Sequence, residues 1–179
     1  MNRDSFEELW KRFYPKVYVF VAGMLTGADI DADDFVQEIM LKVSRRIENY
    51  DPTFSLSTWV YTIARNHCID VMRASRPKST TGGANDFADH AVSHYPGPEN
   101  EALSKELDTT VDRFMGTLPV RDRQIAFLRF HERLSYRSIG KIMEIPVGTL
   151  KYRVHEARKS LNEFLEKEYG LSHAIGKRN

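Results

Sequence analysis

Apolar residues recur every three or four positions in two blocks of the chain, which is typical of amphipathic helices. Between the blocks, glycine pairs and a Pro-Gly-Pro triplet at 96–98 interrupt the pattern, and Ser and Thr cluster there. The pattern predicts an all-α protein with two small helical domains joined by a flexible linker. The predicted boundaries are a first domain over 1–75, a linker over 76–100, a second domain over 101–170 and a tail over 171–179.

The second domain contains the clearest pair of helices, within LSYRSIGKIMEIPVGTLKYRVHEARKSL. Ser135 can cap the first helix through its hydroxyl, and Pro146 ends that helix because proline lacks a backbone donor. Gly140 is small where a second helix must pass close. The second helix carries an apolar stripe of Leu150, Val154, Ala157 and Leu161. Upstream of the pair, the predicted core positions are Ile125, Leu128 and Phe130.

Polar and basic side chains of the second helix fall largely outside its apolar stripe. This layout is typical of a helix-turn-helix whose second helix enters the major groove of DNA. A helical hairpin with a solvated basic face is the alternative. The candidate contacts on this helix are Thr149, Lys151, Tyr152, Arg153, His155 and Arg158.

A helix of the first domain begins after Asp31 and buries a stripe that starts at Phe35. Val36, Met40 and Leu41 widen the apolar surface beyond one core contact. Extra apolar area beside mixed charge suggests a protein-docking face. A helix packed on two neighbours explains the same pattern equally well. The candidate docking residues are Asp34, Gln37, Glu38, Leu41 and Lys42.

Aromatic, amide and arginine side chains lie together between residues 49 and 78. Rings stack on unpaired bases and cations follow phosphates, so the combination suits single-stranded nucleic acid. An aromatic core beside a solvated basic face is the simpler interpretation of this stretch by itself.

Composition narrows the function further. The formal net charge of +1 is nearly neutral, so DNA binding must come from local patches. The single cysteine, Cys68, allows no intramolecular disulfide, and neither it nor the six histidines have metal-site spacing. We find no phosphate loop and no nucleophile–base arrangement, and predict neither an enzyme nor a cofactor. No apolar run approaches the length of a membrane span, which favours a cytoplasmic protein.

Three stretches together resemble the extracytoplasmic-function (ECF) sigma factors of bacterial RNA polymerase. DADDFVQEIMLKVSRRI, at 31–47, resembles the core-binding helix of that family. FSLSTWVYTIARNHCIDVMR, at 54–73, resembles the helix that melts and reads the minus-ten promoter element. The stretch 118–165 resembles the reader of the minus-thirty-five element. The order and spacing of the three are more specific than any one motif.

The resemblance implies specific partners and roles. The first domain would dock on the polymerase clamp through the five candidate docking residues, and the second would sit on the flap. The acidic linker would follow the RNA exit path. Residues implied at the minus-ten element are Asn49, Tyr50, Phe54, Ser57, Trp59, Tyr61, Arg65, Asn66 and Arg73, and Arg137 would join the minus-thirty-five set.

The resemblance also implies a regulon, typically stress or envelope responsive, and control by an anti-sigma factor. Glu156 departs from the family pattern, because many relatives carry a basic or aromatic residue there, so the base preference does not carry over. A helix-turn-helix regulator that binds operator DNA without polymerase shares the second domain but not the first.

Overall fold

The structure is a computed structural model that describes residues 3–22, 24–25, 31–74 and 102–170, and the regular elements in these ranges are all helical. The predicted all-α fold is confirmed. The linker and tail predictions fall outside the described residues. The α-helices are α1 (Arg3–Ala22), α2 (Ala32–Arg46), α3 (Leu56–Ala74), α4 (Ala102–Thr117), α5 (Val120–Ala126), α6 (Tyr136–Met143) and α7 (Val147–Tyr169).

The first domain packs α1, α2 and α3 against one another. Asp31 caps α2, because its Oδ1 accepts from the backbone N–H groups of Asp33 and Asp34 at 2.8 and 3.0 Å. The two acids in the first turn also suit the positive end of the helix dipole. Fully buried side chains of this domain are Phe13, Val17, Phe20, Ile39, Met40, Val43, Val60 and Tyr61.

The second domain forms the predicted helix-turn-helix. Ser135 caps α6 by accepting from the Ser138 N–H at 3.1 Å. Glu144 ends α6 in the left-handed region, with φ of 53°. A Cβ added at Gly140 would lie 3.0 Å from the Ile145 carbonyl oxygen, so the turn can only close this tightly over glycine. The predicted stripe of α7 is buried at Leu150, Val154 and Ala157, and half-buried at Leu161.

A π-helical turn, Phe127–His131, extends α5 and changes which side chains face inward. Ile125 and Leu128 are buried as predicted, but Phe130 is 46% exposed and Phe127 takes the inward position. The prediction for Phe130 was wrong, because residues two positions apart on a helix point to nearly opposite sides and Phe130 cannot share the buried side of Leu128. In a π turn each backbone hydrogen bond spans one more residue than in an α-helix, and in this turn Phe127 and Leu128 are the buried side chains.

The two domains share a continuous core. Helix α3 lies against α6, and the Phe127 ring meets Phe20 and Tyr61 with centroids 6.2 and 6.0 Å apart. Lys16 of α1 pairs with Glu132 at 2.9 Å, and the Glu132 side chain is buried. The sequence pattern predicted two cores and gave no sign of this contact between them.

Candidate nucleic-acid and protein interfaces

The five candidate docking residues form one surface on α2. Their side chains are exposed or, for Lys42, half-buried. Leu41, at 43% exposed, is an apolar side chain in the middle of polar neighbours. Val36 and Met40 are fully buried, so for these two the correct interpretation was packing on two neighbouring helices. The surface is therefore smaller and more polar than the sequence suggested, with Leu41 at its centre.

His67 of α3 contacts two residues of this surface from the protein interior. It is buried at 6% exposure and stacks on the Phe35 ring, with centroids 4.6 Å apart and planes 9° apart. Its Nδ1 lies 2.6 Å from Lys42 Nζ, and its Nε2 lies 3.0 Å from Glu38 Oε2. The sequence gives no sign of this role for His67. The period of α3 placed it inward correctly but could not show that it meets α2.

The loop before α3 is held by its own polar groups. The Tyr50 hydroxyl donates to the Phe54 carbonyl at 2.6 Å, and Asp51 Oδ1 accepts from the Thr53 N–H at 2.9 Å and from its hydroxyl. These bonds hold the pKa of Asp51 below its usual value. Ser55, at the end of the loop, caps α3 by accepting from the Thr58 N–H at 3.2 Å. The loop is thus ordered before any ligand arrives.

The implied minus-ten residues divide into three groups: exposed, half-buried and buried. Asn49, Asn66 and Arg73 are exposed, whereas Tyr50, Phe54, Ser57 and Trp59 are half-buried. The rings of Tyr50 and Trp59 meet edge to face at 5.6 Å, which leaves an aromatic ledge beside the loop.

Tyr61 and Arg65, on the inner side of α3, are buried at the domain contact. The Arg65 guanidinium is 4% exposed, and its Nη1 lies 3.4 Å from a Glu144 carboxylate oxygen. Within the part of the chain that the structure describes, neither Nη1 nor Nε of Arg65 makes a well-formed hydrogen bond. Arg65 can meet DNA only when α6 moves away from α3, whereas the Tyr61 ring is also packed against Phe20 of α1 and against Phe127.

The Phe54 ring also faces the second domain. Lys141 Nζ lies 3.4 Å from the ring centre, and the Arg137 guanidinium carbon lies 5.8 Å from it. Both cations belong to α6, so helix-turn-helix side chains lie over one face of a ring that could stack on a base.

The exposed face of α7 carries most of the predicted helix-turn-helix contacts. Thr149, Lys151, Tyr152, His155 and Arg158 are exposed, with Tyr152 at 64%. Arg153 differs, because its Nη1 pairs with Asp122 Oδ1 at 2.7 Å and the side chain is half-buried. Arg137, on α6, is exposed beside this face.

The edges of this face have their own neighbours. The Arg158 guanidinium carbon lies 5.3 Å from the centre of the exposed Phe130 ring, which holds the cation at one edge. Glu156, on the opposite edge, shares with Asp122, Arg153 and Tyr152 the lining of an open cavity of about 400 Å³. Asp122 and Glu156 thus lie at one side of α7, and the exposed cations Lys151 and Arg158 lie at the other.

Cys68 is a packed thiol. It is fully buried, and burial raises its pKa to about 12, so the reactive thiolate is disfavoured. Across residues 3–22, 24–25, 31–74 and 102–170, no three His, Cys, Asp or Glu side chains gather as metal ligands would. Nor does any helix in those ranges have the length and apolarity to cross a membrane.

Family models match both halves of the chain. One described as Sigma-70 region 2 matches residues 9–77, and one described as Sigma-70, region 4 matches residues 109–161. The first range contains the docking surface, the aromatic loop and α3, and the second contains the helix-turn-helix.

Several known proteins are similar over most of their length. The chain is 31% identical over 170 residues to the ECF RNA polymerase sigma factor SigW of Bacillus subtilis, across 92% of this chain and 90% of that protein. It is 33% identical over 173 residues to the ECF RNA polymerase sigma-E factor of Haemophilus influenzae, across 92% of this chain and 89% of that protein.

Two solved structures share the fold. The sigma factor RpoE in complex with the anti-sigma factor NepR, from Bartonella quintana, matches with a TM-score of 0.66 at 23% identity, across 92% of this chain and 98% of that one. CnrH in complex with the cytosolic domain of CnrY matches with a TM-score of 0.58 at 18% identity, across 93% and 91%.

Proposed function

Because the chain belongs to the ECF sigma factors of bacterial RNA polymerase, we propose that three of its surfaces divide the work of promoter-directed initiation. As a sigma factor it binds core polymerase and promoter DNA. The observation that carries the division is the placement of three chemically different surfaces on one chain. They are the polar face of α2, the aromatic loop leading into α3, and the basic face of α7.

The α2 surface is the polymerase-docking surface. Leu41 offers a central apolar contact, and Asp34, Gln37, Glu38 and Lys42 surround it with charge and hydrogen-bonding groups. A small apolar centre with a polar rim is the usual anatomy of a protein interface. The clamp of core polymerase is its proposed partner.

The loop over 49–57 and the outer side of α3 act on the opened minus-ten element. Aromatic side chains at Tyr50, Phe54 and Trp59 can stack on unpaired bases, and Arg73 lies further along, where phosphates follow. Asn66, exposed on α3, adds an amide that can donate to and accept from a base edge.

The basic face of α7 reads the duplex minus-thirty-five element. Lys151, Tyr152 and His155 follow the helix N-terminus, from which side chains reach base edges in the major groove. Arg158 lies further along, where phosphate contacts are expected. Arg153 also belongs to the phosphate group, but its pair with Asp122 must loosen first.

The protein works by binding alone, in the cytoplasm and at the nucleoid, and uses no catalytic residue, metal or cofactor of its own. A protein inhibitor is part of the proposal. The two solved neighbours are complexes, one with an anti-sigma factor and the other with the cytosolic domain of CnrY. An anti-sigma partner of this chain would cover the same surfaces until a signal, expected to be a stress or envelope signal, releases it.

The test is reconstitution with core polymerase. The purified chain with core enzyme should start transcripts at defined promoters, and neither component alone should do so. The alternative, a regulator acting without polymerase, predicts tight binding of duplex operator DNA by the chain alone. Sequence-specific binding of that kind, with no promoter-specific transcripts from the reconstituted enzyme, would refute the sigma assignment.

A further inference from the structure

We propose that His67 is a positioning residue for polymerase docking, because it fixes the side chains of Glu38 and Lys42 on the α2 surface. The inference rests on the proposed docking role of those two residues. His67 itself is buried, so it would act through those two side chains.

The contacts of the ring determine its protonation. A lysine ammonium is a donor only, so the Nδ1 atom that lies 2.6 Å from Lys42 Nζ must accept. The proton of a neutral imidazole is then on Nε2, where it donates to Glu38 Oε2 at 3.0 Å. One tautomer therefore satisfies both partners, and the ring joins a cation and a carboxylate that are one helical turn apart on α2.

The ring cannot rotate freely to choose other partners. It stacks on Phe35 of α2 with nearly parallel planes, 9° apart, and is buried among core side chains. Glu38 and Lys42 by contrast lie on the surface, where long charged side chains normally sample several rotamers. The rigid ring below them reduces that freedom before the partner arrives.

Ordering these side chains in advance has a consequence for affinity. A flexible side chain that becomes fixed at an interface loses conformational freedom, and this loss opposes binding. With two such side chains already ordered, loss of the histidine should weaken binding to core polymerase by roughly tenfold. The same contact connects α2, which docks, to α3, whose exposed side carries Asn66.

The first experiment determines the tautomer. Imidazole nitrogen chemical shifts of the full chain, labelled at histidine, should show His67 neutral with hydrogen on Nε2. Lys42→Met should shift the Nδ1 signal, because the donor to that atom is removed. A ring protonated on Nδ1 at neutral pH overturns the proposal.

The second experiment measures affinity for core polymerase in a double-mutant cycle. His67→Phe keeps an aromatic ring against Phe35 but loses both hydrogen bonds, and should bind core about tenfold more weakly. In a Glu38→Ala/Lys42→Ala background the same substitution should have no further effect. Cys68→Ala, a buried neighbour on α3, is the control and should bind normally. His67→Gln, which retains a donor and an acceptor, should recover part of the loss.

The outcomes separate the two proposals. If Glu38→Ala and Lys42→Ala leave core binding unchanged, the docking role is wrong and the positioning role falls with it. If those substitutions weaken binding but His67→Phe does not, docking stands and the positioning role is overturned. A His67→Phe loss that persists in the double-alanine background means that the ring acts through the general fold, which also overturns it.

Discussion

Lys141 Nζ lies 3.4 Å from the centre of the Phe54 ring, which the proposed function assigns to stacking on an unpaired base. Lys141 belongs to the helix-turn-helix and Phe54 to the loop before α3. The contact therefore joins two surfaces that the proposed function assigns to different promoter elements. Glu144, one turn after Lys141, faces the buried Arg65 across the same contact.

Weakening this contact should expose the minus-ten surface. We expect Lys141→Gln/Glu144→Gln, which conserves net charge, to raise the affinity of the free protein for a single-stranded minus-ten oligonucleotide roughly two- to tenfold. The exposed cation–π contact of Lys141 is worth about 0.5–1 kcal/mol, and the pairing of the exposed Glu144 carboxylate with the buried Arg65 adds to it. Fluorescence anisotropy with a labelled oligonucleotide measures the change.

A matched control for this test lies within the second domain. Arg113 pairs with Glu168 at 3.1 Å and lies over the Phe164 ring at 5.9 Å, so Arg113→Gln/Glu168→Gln removes the same kinds of contact away from the first domain. Equal affinities in both double variants would show that the α6 contact does not cover the minus-ten surface.

Leu41→Asp should abolish most holoenzyme assembly. Leu41 is the apolar centre of the α2 surface, and a carboxylate there would be buried without a partner in the complex. We expect at least tenfold weaker binding to core polymerase, with the helix content in circular dichroism unchanged. Val111→Asp makes the same change at 41% exposure on α4 and should assemble normally. Normal assembly of Leu41→Asp would exclude α2 as the docking surface.

Phe54→Ala should suppress promoter opening while closed complexes still form. Loss of one base-stacking contact costs about 1–3 kcal/mol, and duplex binding by α7 does not use this ring. Permanganate reactivity of melted thymines reports the open complex, and a gel shift reports the closed one. Phe54→Tyr keeps a ring and should open promoters nearly normally. An undiminished permanganate footprint with Phe54→Ala would contradict the stacking role.

Substitutions on α7 should separate base reading from phosphate contact. Lys151→Ala should change which bases are tolerated at the minus-thirty-five element, at about 1–3 kcal/mol for a lost base contact. Arg158→Ala should weaken all sequences alike and lower the salt slope by about one unit. Transcription from a saturation library of the element measures both. The reverse pattern would mean that the docked helix is rotated.

The ion pair of Arg153 predicts that the two arginines of α7 contribute unequally to DNA affinity. Because Asp122 already neutralises Arg153 at 2.7 Å, Arg153→Ala should lower DNA affinity less than Arg158→Ala does. Asp122→Asn should free the guanidinium and strengthen binding to all sequences. An Arg153→Ala loss larger than that of Arg158→Ala would show that the pair breaks in the complex at little cost.

Gly140→Ala should destabilise the helix-turn-helix. The added Cβ would lie 3.0 Å from the Ile145 carbonyl oxygen, and such crowding typically costs about 1–3 kcal/mol. Gly116→Ala, in α4 with no atom within 4 Å of the added Cβ, should instead stabilise by about 0.5–1 kcal/mol. Urea unfolding followed by circular dichroism gives both values. The same sign for both substitutions would contradict the close approach at Gly140.

Local chemistry explains which features the sequence could predict. The Ser135 cap, the stop at Pro146 and the close approach at Gly140 depend on residues a few positions apart, so their consequences appear in the sequence itself. The helical period also predicts the exposed polar side of α2, because Asp34 and Glu38 lie one turn apart on the same side of the helix.

The features that could not be predicted depend on contacts between distant segments. Tyr61 and Arg65 have the residue types of a nucleic-acid surface, and only the packing of α6 on α3 shows that they are buried. The bridge from His67 to Lys42 spans 25 positions and has no local signal. The π turn over Phe127–His131 departs from the 3.6-residue period, and no local signal in the sequence indicates it.

The two domains are in contact in this structure, and the length of chain between α3 and α4 limits how far apart they can move. Promoter elements centred about 10 and 35 base pairs upstream lie about 25 base pairs apart, or about 85 Å along B-form DNA at ~3.4 Å per pair. In the described chain α3 touches α6, the first helix of the helix-turn-helix, and Arg65 and Glu144 are only 3.4 Å apart. Ala102 follows Ala74 by 28 positions, and that much chain spans at most roughly 90–100 Å. The covalent tether is thus about as long as the interval to be bridged, and each residue deleted from it would shorten the maximum reach of the second domain by about 3.5 Å.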